Sequence, residues 1–187
     1  SGDHTFFAFA RDAQGASSEA ERTTVQVTVP PEVGSLSDSP DPVTLGDELT
    51  LSLSGVSDDD GQVIRVDFYR DDNDNDEADA GELIGSDNSA LGGWQATIST
   101  AGWTADTYTY LAVAEDDDGG RSDPASTEGR INEPPTVAGL TADPTLVARG
   151  DVLTLTADGV TDDGGSIREV DFWRDDNDNG VIDTGAD

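Results

Sequence analysis

Apolar and polar residues alternate along much of this chain at a period of two, the mark of half-buried β-strands. Leu49, Leu51 and Leu53 interleave with Thr50, Ser52 and Ser54. Val66 and Phe68 alternate with Arg65 and Asp67, and Trp94, Ala96 and Ile98 with Gln95, Thr97 and Ser99. The run Tyr108-Thr109-Tyr110-Leu111-Ala112-Val113-Ala114 is apolar on both sides, as a strand in the middle of a sheet would be. Val25, Val27 and Val29 predict one more strand. Clusters of Asp, Gly, Ser and Pro punctuate these runs, and no stretch carries a helical period.

The pattern repeats. At an offset of 104 residues, Pro30-Pro31 falls on Pro134-Pro135, Gly46-Asp47 on Gly150-Asp151, and Gly55-Val56 on Gly159-Val160. Asp67-Phe68-Tyr69-Arg70-Asp71-Asp72-Asn73-Asp74-Asn75 falls on Asp171-Phe172-Trp173-Arg174-Asp175-Asp176-Asn177-Asp178-Asn179. Between 30–83 and 134–187, 27 of 54 positions are identical without a gap. The same offset sets Thr5, Ala8, Ala10, Asp12 and Gly15 on Thr109, Ala112, Ala114, Asp116 and Gly119. The chain thus divides into the C-terminal strands of one repeat (1–29), a whole repeat (30–133) and the N-terminal part of a third (134–187). This phase is expected of a segment of a longer tandem array.

About seven short strands in about 100 residues predict an all-β fold of tandem immunoglobulin-like β-sandwich repeats. Ala105-Asp106-Thr107-Tyr108 has the pattern of a tyrosine corner. His4 takes the Tyr108 position in the first repeat, which gives the one histidine a structural role.

Candidate chemistry lies in the turn after the Phe68 strand, Asp71 to Glu82. With Asp71 as position 1, Asn73, Asn75 and Asp79 stand at positions 3, 5 and 9, Glu77 offers a carbonyl at 7, and Glu82 closes at 12. Calcium takes six to eight oxygens at about 2.3–2.6 Å, and a 12-residue loop so spaced supplies them. Position 6 needs a positive φ, which Gly180 suits in the third repeat; Asp76 departs from glycine in the second. The third repeat offers Asp175, Asn177, Asn179, Val181 and Asp183, with Ala186 at position 12 and Asp187 beside it as a substitute acid. Seven acids within 12 residues repel one another unless a cation neutralises them, so Ca2+ is the expected ion. Two further acidic turns recur, Ser57-Asp58-Asp59-Asp60-Gly61 (echoed by Thr161-Asp162-Asp163-Gly164-Gly165) and Glu115-Asp116-Asp117-Asp118-Gly119. In a sandwich these two sit at one end and the Asp71 loop at the other. In a head-to-tail array the Asp71 loop would then face the next repeat's Asp162 turn across the linker Asn132-Glu133-Pro134-Pro135, forming a cation-rich junction.

Composition narrows the classes. Nine basic residues, all Arg, oppose 41 acids for a net charge of −32. Such a surface repels phosphate backbones and anionic lipid, so neither nucleic acid nor membrane insertion is expected. No apolar run approaches the roughly 20 residues of a membrane span. Without Cys there is no disulfide framework, thiol nucleophile or Cys-ligated zinc, and without Lys no Lys–Asn isopeptide cross-link. The many carboxylates lie in solvated turns with no apolar pocket to raise a pKa, so catalysis is not expected. An excess of Asp, no Lys and a pI near 4.1 also resemble proteins of halophiles.

The Pro-Pro linker, the Val-Asp-Phe-Tyr-Arg-Asp strand entering Asp-x-Asn-x-Asn, and the Thr-Tyr-Thr-Tyr strand ending in Asp-Asp-Asp-Gly resemble tandem Ig-like repeats of prokaryotic surface proteins. That group includes cadherin-like and PKD-like modules and the calcium-binding B-type repeats of adhesins. The resemblance implies an extracellular or cell-surface stalk, adhesin or filament made rigid by calcium. Its partners would be neighbouring Ig-like repeats of the same or identical chains, including a homopolymer formed by strand addition. The alternative is a glycan- or ligand-binding module of a secreted protein, with Trp103 in the turn Ala101-Gly102-Trp103-Thr104 as its stacking platform and Trp94 turned to the core.

Overall fold

The computed structural model describes residues 1–182. Its central part is a two-sheet sandwich. One sheet holds three strands, β3 (Leu36–Ser39), β5 (Glu48–Leu53) and β8 (Trp94–Ser99), in the order β3-β5-β8. The other holds five, β4 (Val43–Thr44), β6 (Val63–Arg70), β7 (Leu83–Asp87), β9 (Thr107–Asp116) and β10 (Ala125–Asn132), in the order β4-β10-β9-β6-β7. Every pairing in the two sheets is antiparallel except the short parallel match of Ile131 with Val43 that brings β4 to β10. This strand order is that of an immunoglobulin-type sandwich.

The alternation read in the sequence is the alternation of the core. Leu49, Leu51, Leu53, Trp94 and Ile98 of one sheet face Val66, Phe68, Tyr110, Ala112, Ala114 and Ile131 of the other, all buried. Leu51, Phe68 and Tyr110 are wholly inaccessible. Tyr108 closes the corner as its sequence neighbourhood predicts, its hydroxyl donating to the Thr104 carbonyl at 3.2 Å.

Two hairpins flank the sandwich, β1 (Gly2–Ala8) with β2 (Glu21–Val27), and β11 (Thr136–Asp143) with β12 (Thr154–Thr161). The expected strand through Val29 stops at Val27. The acidic turns between β5 and β6 and between β9 and β10 meet at the end of the sandwich nearest the first hairpin. There Asp117 N–H donates to the Gln62 carbonyl and Gln62 N–H to Asp117 Oδ1.

Candidate metal centre

The loop 71–82 leaves β6 at the end opposite those turns, where Asp71 N–H bonds the Thr109 carbonyl. It then folds back over the outer face of the five-stranded sheet. Ala78 packs on Tyr69, Leu111 and Val113, which are buried although they point away from the main core. That contact explains why β9 is apolar on both sides. Asp67, on the same outer face, is buried too, against the simple reading of alternation. Its carboxylate accepts from Arg65 Nε at 2.6 Å and from the Ser86 hydroxyl at 2.5 Å.

Within the loop, the first aspartate organises the backbone. Asp71 is 4% exposed, and its two oxygens accept the amides of Asn75 (3.1 Å) and Asp76 (2.9 Å). Burial works against its charged form, but these amide donors prevail and hold its pKa below the ordinary aspartate value. Asp74 (φ 55°) and Asp76 (φ 58°) are left-handed, so the turn that position 6 requires forms on an aspartate. Asn75 Oδ1 in turn accepts the Glu77 amide at 2.8 Å.

The side chains of positions 3, 5 and 9 converge. Asn73 and Asn75 both direct their carboxamides at Asp79 Oδ2, each at 3.1 Å. Position 12 joins from the far side of the loop. Glu82 closes a short 3-10 turn, Ala80–Glu82, and its Oε1 accepts the Asp72 amide at 2.9 Å. Glu82 is 7% exposed, and its other oxygen, Oε2, is buried with no hydrogen-bond partner. A buried carboxylate oxygen without a donor is costly, and a cation is the partner that removes the cost. Turning the Asn73 carboxamide over would offer its oxygen, with Asp79, to the same point, while Asn75 Oδ1 is already engaged by the Glu77 amide. Among the described residues no three Asp, Glu, His or Cys side chains are arranged to hold an ion by themselves. The donors brought together here are two carboxamides and one carboxylate, with Glu82 and a Glu77 carbonyl near in the chain.

The third repeat builds the same turn. Asp175 accepts the amides of Asn177, Asn179 and Gly180, and Asn179 Oδ1 that of Val181. Asp178 (φ 55°) and Gly180 (φ 73°) repeat the two left-handed positions. The Gly180 amide is the main cause of a lowered Asp175 pKa. Asp183 and Asp187 lie outside the described residues.

Solved structures similar to the chain include the fibronectin(III)-like modules of Clostridium thermocellum CbhA, at 26% identity and TM-score 0.47, covering 71% of this chain and 63% of that one. Domains d3–d4 of the rat CD45 extracellular region follow at 12% and 0.39, covering 68% and 62%. A variant of the superoxide reductase (neelaredoxin) from Ignicoccus hospitalis stands at 10% and 0.34, covering 56% and 81%. The chain thus spans less than two thirds of the first two. No known family's sequence pattern matches it, nor does any curated protein. The β-sandwich rests on its own strand order.

Two sequence expectations change here. The Asp71 loop turns back along the sheet, and the hydrogen bond that the Asp162 turn makes to the sandwich is to Arg130 of β10. The Gly164 carbonyl accepts from the Arg130 guanidinium at 2.7 Å. Trp103, the expected stacking platform, is half-buried against the core, edge-on to Tyr108 at 5.5 Å, with the Arg70 guanidinium 4.4 Å above its ring. Arg70 is fixed there by Asp72 at 2.5 Å. Trp94 is in the core as expected.

Proposed function

We propose that this chain is a segment of an extracellular structural or adhesive array, a stalk or filament, whose immunoglobulin-like repeats are stiffened by Ca2+ held in the 71–82 loop. The reading assigns no catalytic role. Two observations carry it: the buried, unpartnered Glu82 Oε2 at position 12 and the meeting of Asn73 and Asn75 on Asp79. An ion there would accept Glu82 and Asp79, take carboxamide oxygens from Asn73 and Asn75, and offset the repulsion among the loop's acids. Because Ala78 anchors the same loop to the sheet, an ordered loop stiffens the sandwich it covers. The Asp175 loop, with the same backbone turns, is proposed as the equivalent site of the next repeat.

Oxygen-ligand calcium sites suit an exterior where calcium is abundant, and among the described residues no helix is long and apolar enough to cross a membrane. Melting of the whole chain in calcium and in EDTA tests the reading. Stabilisation should follow RT ln(1 + [Ca2+]/Kd), about 2.7 kcal/mol at 100-fold excess over Kd. Glu82→Gln, which keeps the Asp72 amide contact, should weaken binding at least tenfold by calorimetry. Identical melting curves with and without calcium would overturn it.

A further inference from the structure

The two ends of the chain are partial sandwiches, each already paired in the register of the central repeat. In the second hairpin Leu140 pairs with Ala157 as Leu36 pairs with Leu53. In the first, Ala8 pairs with Glu21 as Ala112 pairs with Ala125. At the 104-residue offset β1 and β2 match β9 and β10, β11 and β12 overlap the counterparts of β3 and β5, and 167–174 matches β6.

Neither end has what the central repeat packs against it. Of the fourteen buried residues in the main core, twelve have counterparts in the two ends, and eleven of these are apolar. The exception is Glu21, where the central repeat has Ala125. None of the twelve counterparts is buried. The outer patch is split in the same way. Tyr69 and Ala78 meet Leu111 and Val113 in the central repeat. Their counterparts, Trp173 and Ile182 at one end and Phe7 and Phe9 at the other, are each larger and each more than half exposed. Within one copy the two ends stay apart. Gln26 bonds Asp118 just past one end of β9, and Gly164 bonds Arg130, which pairs with Thr107, at the other end, roughly 30 Å away.

We propose that a second copy of this chain supplies the missing half: residues 136–182 of one copy close over β1 and β2 of the next, head to tail. Phe172 then lies opposite Ala8 as Phe68 lies opposite Ala112, and Val147 beside Val27 as Val43 lies beside Ile131. The strands without a full counterpart in this composite are β7 and β8, both edge strands, so each sheet stays continuous without them. Five aromatics on these faces, at about 150–250 Å2 each and roughly half to two-thirds exposed, hold on the order of 500 Å2. The aliphatic residues around them bring the total past the roughly 1,000 Å2 of a specific interface. The contact joins unlike faces and leaves one of each free, so copies add into open chains. Such chains are the filament form of the proposed array, and the contact rests on that reading without needing its ion.

Sedimentation of the 187-residue chain in about 1 M KCl with EDTA tests the contact with charge screened and calcium removed. The weight-average mass should at least double between about 1 and about 100 μM. Phe6→Asp and Phe172→Asp each disable one face, and both residues are exposed, so the central sandwich should melt as before. Each variant alone should be monomeric. Their equimolar mixture should form a dimer and nothing larger, because one intact face of each kind remains. Phe9→Asp and Trp173→Asp, on the outer patch, repeat the pair should either first change disturb folding. A wild-type chain that stays monomeric, a variant that still associates alone through like faces, or a mixture that stays monomeric would each overturn the proposal. None of these results bears on calcium binding, which the melting comparison reads separately.

Discussion

Single carboxylates in this chain fall into two kinds that respond oppositely to pH. Asp71 and Asp175 are held charged by backbone amides, so their folded pKa values lie below the ordinary 3.8. Their contribution is complete above that value and is lost as pH falls through the lower folded one. Both loops should therefore stay ordered to more acidic pH than a free aspartate would allow, readable as the persistence of the Asn75 and Asp76 amide shifts. Asp38 behaves the other way. Burial first and Asp41 second raise its pKa, and its Oδ2 is buried without a partner. Here the folded state holds the proton more tightly than the unfolded chain, so stability falls as pH rises past the ordinary value. Asp38→Asn should raise the melting temperature by a few degrees at about pH 7 and leave it unchanged at about pH 3. Equal effects at both pH values would show that charge is not the cause.

At the scale of elements, the loop 71–82 and strand β9 depend on each other. β9 places Tyr110, Ala112 and Ala114 in the main core and Leu111 and Val113 on the outer face, where Ala78 covers them. Ala78→Asp would set a carboxylate on that patch. We expect it to cost about 1–3 kcal/mol in urea denaturation and to weaken calcium binding with every proposed ligand intact. Unchanged affinity would mean that the latch and the ion site are independent. The turn itself is local. Asp175 and Asn179 make the same amide contacts as Asp71 and Asn75, although Val170–Arg174 forms no strand. Its central counterpart β6 is a full strand between β7 and β9, and neither neighbour has its full counterpart at the 104-residue offset within the 187 residues.

Over the whole molecule, a net charge of −32 sets the conditions for folding. Among the described residues, the ion pairs Arg65–Asp67, Arg70–Asp72 and Arg174–Asp176 join residues two apart and do little against so many acids. Self-repulsion is long-ranged in dilute buffer and is screened within about 3 Å in molar salt. The melting temperature should therefore climb steadily from about 0.05 M to about 1 M KCl in the presence of EDTA, where site binding plays no part. A flat curve would remove the argument for a saline habitat.

The strands, the repeat and the Asp-capped turn that opens the 71–82 loop were legible in the sequence because each is encoded over a few neighbouring residues. Period-two alternation needs only one face to be wet, and an Asp that caps the amides four and five residues on carries its turn with it, even where no sheet supports it. Other features had no local signal. Asp67 is buried, Trp103 is covered by Arg70, and the loop lies along the sheet instead of beyond its end. Phe68 is wholly buried while its repeat Phe172 is 47% exposed. Tyr110 is wholly buried while Phe6, at the matching position, is 58% exposed. Burial is decided by strands far apart in the chain, and only their packing in three dimensions brings those partners together.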